Sequence, residues 1–167
     1  MLSGAGSIVA QAVHSVDLLR YLMDSEIVEV RCITDETPSR PAEEMTLSLF
    51  KFANGALGHV ASGAVVRRSD NDTVLYGSEG KISCLNTLGR SEVPRLQEVV
   101  IESSAPEVRV PFRGDTWITR TVPLIEAFNR SITHGEATLV PAQNGLQMIR
   151  IANAMHDSSR HGRAVKL

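Results

Sequence analysis

Cysteine, aromatic residues and excess charge are all scarce in this chain. Two cysteines, Cys32 and Cys84, are too few for a disulfide-stapled scaffold, and no histidine pair stands near them at zinc-ligand spacing. Free thiols in a reducing cytoplasm are the expectation. A formal net charge of −2, from 17 Lys and Arg against 19 Asp and Glu, gives no basic surface for a nucleic acid. Arg67 and Arg68 are the densest basic spot, and two neighbours do not make a patch. No apolar run reaches the roughly 18 residues of a membrane-spanning helix. The N-terminus lacks the basic start and long apolar stretch of a signal peptide. A Gly-x-Ser-x-Gly elbow is missing, which argues against triad hydrolysis, and no carboxylate cluster suggests a metal. What remains is an ordinary globular composition, 43% hydrophobic and 22% charged over 167 residues, a length that suits one domain.

The apolar pattern changes period along the chain. From Ser7 to Met23, Ile8, Val9, Ala12, Val13, Val16, Leu19 and Leu22 form a broad helical stripe, with Ser7 the expected N-cap. Ile27 to Thr34 is rich in β-branched residues and reads as a strand, followed by a polar loop through Thr37-Pro38-Ser39-Arg40-Pro41. Met45 to Phe52 and Ala56 to Ala64 flank Asn54-Gly55, a strong hairpin signal in which both turn residues are expected at positive φ. A second hairpin is expected from Thr73 to Gly77 and Lys81 to Leu85, then strands at Leu96 to Ile101 and Val108 to Phe112. Helices return at Thr121 to Thr133, where Pro123 requires a first-turn position, and at Ala142 to Ser159, closed by Gly162. Ala164 to Leu167 reads as a last short strand. Short hairpin links demand antiparallel pairing. The expected fold is therefore α+β: a single, largely antiparallel, open-faced sheet with helices on one face. Leu47, Leu49 and Leu57 suggest that the other face is apolar and docks a second copy.

Chemistry is best sought on the first helix. His14 and Asp17 stand three residues apart and share a face, so the carboxylate can orient the imidazole, and the imidazole can exchange a proton or hydrogen bond with a substrate hydroxyl. A packed surface histidine is the competing reading. Gln11 lies one turn before His14. Trp117, the only tryptophan, could stack on a sugar ring or simply pack, and His59 on the hairpin strand is a further candidate. His134, His156 and His161 fall near helix C-terminal turns, where an imidazolium interacts favourably with the helix dipole.

Several segments, in the right order over nearly the whole chain, resemble the glucose–fructose oxidoreductase/inositol dehydrogenase/MocA-like (Gfo/Idh/MocA) family. They are Gly4-Ala5-Gly6-Ser7 running into His14-Ser15-Val16-Asp17-Leu18-Leu19-Arg20-Tyr21-Leu22, the strand Glu26 to Val30, the hairpin Phe52-Ala53-Asn54-Gly55-Ala56, Tyr76-Gly77-Ser78-Glu79-Gly80-Lys81-Ile82, and a closing pattern from Leu124-Ile125 to Gly162-Arg163-Ala164-Val165. The resemblance implies the family's C-terminal, substrate-side and oligomerisation domain over 1–167, with a fold like the C-terminal domains of dihydrodipicolinate reductase and glyceraldehyde-3-phosphate dehydrogenase. It also implies hydride transfer between NAD or NADP and a sugar or polyol in the intact enzyme. His14 takes the position of the family's histidine at the mouth of the active site, acting on the hydroxyl. Gln11, Asp17, Trp117 and His59 are the expected substrate-side residues, with Asp17 mainly a structural partner. A dimer or tetramer through the open sheet face is expected.

Two departures qualify this. Many sugar and polyol dehydrogenases of the family carry an aspartate four residues before the histidine, and here that residue is Ala10, which cannot relay a proton. The family's Rossmann half, with its glycine-rich loop and catalytic lysine, has no counterpart here: Gly4-x-Gly6 follows no strand and lacks the third glycine. The chain is thus expected to be a fragment or one half of a split enzyme, to bind no cofactor and no metal alone, and to need a Rossmann partner. The alternative expectation is a non-catalytic binding or oligomerisation module.

Overall fold

The computed structural model describes residues 6–35, 42–63, 66, 71–86, 97–112 and 117–167, with the side chains of 112–120 outside the description. These residues fall in two compact units, 1–67 with 140–167 and, between them in sequence, 68–139.

In the first unit, β1 (Ile27–Thr34), β2 (Met45–Phe52), β3 (Leu57–Gly63) and β8 (Val165–Lys166) form a sheet in the order β3-β2-β1-β8. Every pairing is antiparallel, with Cys32 opposite Ser48 and Leu49 opposite His59. Strict alternation on β2 sends Thr46, Ser48, Phe50 and Phe52 to one face and Leu47, Leu49 and Lys51 to the other. The inner face is covered by three helical segments: a π-helical turn (Ile8–Ala12), α1 (Val13–Met23) and α3 (Ala142–His161). Ile8, Ala12 and Val16 from the first two, Val30, Phe50, Phe52 and Val60 from the sheet, and Ile151, Ala152 and Met155 from α3 make one contiguous core. Burial of this apolar surface is the main favourable term holding the layers together. The hairpin between β2 and β3 departs from the expected turn. Only Gly55 has positive φ, at 90°, while Asn54 acts through its side chain, accepting from the Ala56 N–H at 3.1 Å and donating to the Met23 carbonyl at 3.3 Å. This is a longer loop, and the amide ties it to the end of α1.

The second unit carries a four-stranded antiparallel meander in the order β4-β5-β6-β7: β4 (Thr73–Gly77), β5 (Gly80–Leu85), β6 (Gln97–Ser103) and β7 (Val108–Phe112). The expectation of a single sheet is therefore corrected to two. Hairpin signals identify which strands are joined by tight turns, but β3 and β4 are joined by a longer stretch and do not pair. The second unit also holds α2 (Trp117–His134), which starts four residues earlier than expected, so Pro123 sits inside the helix rather than in its first turn. Its apolar residues Val122, Ile125, Phe128 and Ile132 are 44–67% exposed. α3 ends at Gly162 in the left-handed conformation, φ 61°, as the sequence suggests. Neither cysteine is in a disulfide. The loop expectation at 37–41 lies outside the described residues.

Beyond Val30, β1 has no strand partner on its β8 side among the described residues, because β8 is only two residues long. Two adjacent hydroxyls of α3 take over. Ser158 Oγ accepts the Cys32 N–H at 2.9 Å and donates to the Arg163 carbonyl at 2.6 Å, and Ser159 Oγ lies 3.2 Å from the Thr34 nitrogen. Ser158 is fully buried. Replacing Ser158 by Ala leaves the Cys32 N–H buried without an acceptor and is expected to cost about 1–3 kcal/mol in urea unfolding, with Ser159→Ala costing less. Equal, negligible losses would show that these hydroxyls do not stabilise the strand edge.

Candidate functional site

The first helical segment is pinned to the core at every fourth residue: Ile8, Ala12 and Val16 are fully buried, and Arg20 is 9% exposed. The π-turn fits this spacing, its ladder closing with the Val13 N–H on the Ile8 carbonyl five residues back. Such single π-turns insert one extra residue and recur at functional sites. With that stripe fixed inward, Ala10, Gln11, His14, Asp17 and Tyr21 are all exposed. Ala10, His14, Asp17 and Tyr21, at steps of four, three and four, follow one helical face.

The N-terminus of this segment is held by a residue that the sequence reading missed. Ser7 does not cap the helix; it is fully buried, adopts helical angles, and its hydroxyl donates to Ser62 Oγ at 3.1 Å. The cap comes from Glu43, on the chain leading into β2. Its carboxylate accepts the Ile8 N–H at 2.9 Å and its carbonyl accepts the Ser7 N–H, also at 2.9 Å. A carboxylate here also meets the positive end of the helix dipole. The same carboxylate fills the space where a side chain at position 6 would stand, which explains Gly6. No local pattern announces a cap donated from 35 residues away.

At the other end, Arg20 binds two carboxylates. Its Nε and Nη2 reach Glu26 at 3.1 and 2.7 Å, and its Nη1 reaches Asp17 Oδ1 at 3.1 Å. The Glu26 hydrogen bonds, with Asp17 adding to them, push the guanidinium pKa above its ordinary value against the opposing effect of burial. Asp17 is thus committed to Arg20, in keeping with a structural partner; the expectation that it orients the imidazole or binds substrate finds it hydrogen-bonded elsewhere, although it stays half exposed. Burial raises the Cys32 thiol, so it is a packed thiol and not a nucleophile.

His59 does not join this group. It pairs with Leu49 on the outer face of the sheet, while the helix bearing His14 packs on the inner face. It is exposed there, beside a shallow groove of about 310 Å³ lined by Arg31, Ile33, Leu47, Leu49 and Ala61. The parity of β3 puts His59 on the outer face, since neighbours two apart point the same way and Val60 is the inward residue. Trp117 is the first residue of α2, in the second unit, and its side chain lies outside the described residues. His134 and His161 occupy last helical turns as expected; His156 lies further inside α3. Among the described residues, no group of three histidine, cysteine or acidic side chains could hold a metal ion.

One cycle of variants tests the cap. Glu43→Ala and Gly6→Ala are each expected to cost about 1 kcal/mol, the second because a methyl displaces the carboxylate. The double variant should lose little more than either alone; full additivity would mean that the two positions act separately.

Residues 1–83 match the model of the GFO/IDH/MocA C-terminal domain. Among solved structures, the chain is similar to an aldose–aldose oxidoreductase from Caulobacter crescentus complexed with glycerol, at 22% identity and a TM-score of 0.82, covering 99% of this chain and 49% of that one. It is similar to a levoglucosan dehydrogenase complexed with NADH and L-sorbose, at 19% identity and a TM-score of 0.80, covering 99% and 51%. A third is the WlbA dehydrogenase from Bordetella pertussis in complex with NADH and UDP-GlcNAcA, at 17% identity and a TM-score of 0.70, covering 98% and 45%. At these identities the likeness concerns the fold, and the chain spans about half the length of each. With the matched segment and the antiparallel α+β architecture together, the chain belongs to the GFO/IDH/MocA family, as its C-terminal domain.

Proposed function

We propose that this chain is the substrate-binding and oligomerisation part of a cytoplasmic, NAD(P)-dependent oxidoreductase acting on a sugar or polyol. The observation that carries this reading is the outward presentation of His14, with Gln11 one turn before it, on a helix fixed at both ends by Glu43 and Arg20. Fixing a helix at both ends holds its outward side chains in place, as a reacting hydroxyl requires. The sugar-type ligands of the similar structures support the substrate class.

The residues present do not fit a dinucleotide. Gly6 precedes a helix, as a pyrophosphate loop would, but the Glu43 carboxylate already occupies the Ile8 N–H and the space over Gly6. A second anion there would meet like charge at close range. The cofactor is therefore assigned to a Rossmann partner, a polypeptide segment other than this one, and no step is derived through it. Two copies of the chain are proposed to associate through the outer sheet face, where Ile33, Leu47, Leu49 and Leu57 are 55–79% exposed.

His14 can donate to a substrate hydroxyl as the imidazolium, or accept its proton as the neutral ring. Ala10, one turn before it, can neither hold nor orient a proton, so no relay from His14 runs through that position. Gln11 can orient a hydroxyl through its amide but does not titrate. Ala10 also favours the second reading, a non-catalytic binding module built on the same fold.

The test is turnover of a sugar and polyol panel with NAD+ or NADP+, using the complete polypeptide or assembly that contains this chain. His14→Ala is expected to lower kcat by about 10²- to 10⁴-fold with circular dichroism unchanged. Unchanged turnover removes His14 from the mechanism, and absence of any turnover favours the module. Calorimetry of this chain alone with NADH or NADPH is expected to show weak binding or none; low-micromolar affinity would contradict the assignment of the cofactor elsewhere.

A further inference from the structure

The sequence holds two Asn-Gly pairs, Asn54-Gly55 and Asn144-Gly145, and both are exposed. An asparagine before a glycine is open to attack on its side-chain amide carbon by the glycine's own backbone nitrogen, because glycine has no Cβ to obstruct the approach. The fold treats the two pairs differently. Asn144 is the third residue of α3, with its N–H on the Pro141 carbonyl at 3.0 Å. A helical side chain tilts toward the helix N-terminus, whereas the Gly145 nitrogen lies on the C-terminal side. Asn54 sits at the tip of the β2–β3 hairpin, where its Oδ1 accepts the Ala56 N–H at 3.1 Å. That bond closes a small ring containing both the amide carbon and the Gly55 nitrogen. The attacking atom and the attacked carbon are thereby held together by the turn.

We infer that Asn54 is a site of spontaneous covalent modification in the folded chain, its side-chain amide turning into a carboxylate. Water or hydroxide takes the Gly55 N–H proton, and that nitrogen forms a bond to Asn54 Cγ. The negative charge that develops on Oδ1 meets the Ala56 N–H, already in place as a donor. The bond from Cγ to Nδ2 then breaks, and ammonia leaves with a proton from water. The succinimide that remains takes up one water at either of its carbonyls and opens to aspartate or isoaspartate. Water is consumed, ammonia is released, and nothing is oxidised or reduced. The Gly55 N–H donates to the Phe52 carbonyl at 3.0 Å, and this bond must open first, so opening of the turn sets the pace. Gly55 is exposed, and a side chain built there would meet nothing within 4 Å, so no neighbour bars solvent from the turn.

The product changes what the hairpin does for α1. Asn54 Nδ2 donates to the Met23 carbonyl at 3.3 Å, one of the carbonyls that the end of α1 leaves without a helical donor. A carboxylate cannot donate there. It sets negative charge against the negative end of the helix dipole, beside Asp24. Two backbone bonds between the segments remain, from the Asn54 N–H to Ser25 Oγ at 3.1 Å and from the Ala53 N–H to the Glu26 carbonyl at 2.8 Å. The change therefore loosens the last turn of the helix that bears His14, and leaves the hairpin itself in place.

Peptide mapping of the full chain by mass spectrometry tests this, with heavy-oxygen water marking each converted residue. Both Asn-Gly pairs are followed together, folded and in urea, so that solvent effects on the chemistry cancel in their ratio. In the folded chain Asn54 is expected to convert faster than Asn144 by about tenfold or more, and in urea the two should agree within about twofold. No conversion at Asn54, equal rates in the folded chain, or faster conversion of Asn144 overturns the proposal. So does a preference for Asn54 that persists in urea, which would trace it to the neighbouring sequence and not to the turn. Hydrogen exchange of Asn54→Asp tests the consequence: amides in the last turn of α1 are expected to exchange about tenfold faster than in the unmodified chain. Unchanged exchange there overturns the loosening of the helix while the modification itself stands.

Discussion

One-sided burial of the first sheet is the constraint from which the rest follows. Ile8, Ala12 and Val16 can be buried only by lying on the face that carries Val30, Phe50, Phe52 and Val60. Once they do, the helical period turns His14 outward and the strand period leaves Leu47, Leu49 and His59 on the far side. The candidate reaction site and the candidate interface are thus two consequences of one packing decision, on opposite sides of the same layer. Polar contacts then lock the arrangement: Glu43 at the start of the helix, Arg20 with Asp17 and Glu26 near its end, and Ser158 and Ser159 along the open edge of β1.

Much of the fold was legible in the sequence because it depends on local periods. The β-branched run Ile27 to Thr34, the Asn54-Gly55 hairpin and the left-handed Gly162 all stand where their residue chemistry puts them. The α+β class followed from hairpins in the middle and helices at the ends. The division into two sheets did not, since no local signal says whether β3 and β4 should pair. Pro123 misled the start of α2: a proline is usually best placed in a first turn, yet this helix continues through it.

The site was legible in part, for a similar reason. His14 and Gln11 are exposed on the helix, as their period implies. The service of Asp17 to Arg20 was visible in their spacing of three, and spacing alone could not rank Arg20 above His14 as its partner. Glu43 could not be found, because its partners Ile8 and Ser7 lie more than thirty residues away in sequence. His59 could have been placed by parity, since it stands opposite Leu49, which the sequence reading put on the open face. Thr46 and Ser48 point to the core there, and Thr46 Oγ1 is buried without a hydrogen-bond partner among the described residues.

The central claim is that substrate meets the outward face of the first helix and not the outer face of the sheet. Imidazole-resolved NMR of the complete polypeptide containing this chain, titrated with a sugar or polyol that it turns over, tests this most directly. The account predicts that the His14 ring resonances shift with saturation while those of His59 do not move; saturable shifts at His59 with His14 unmoved would contradict it.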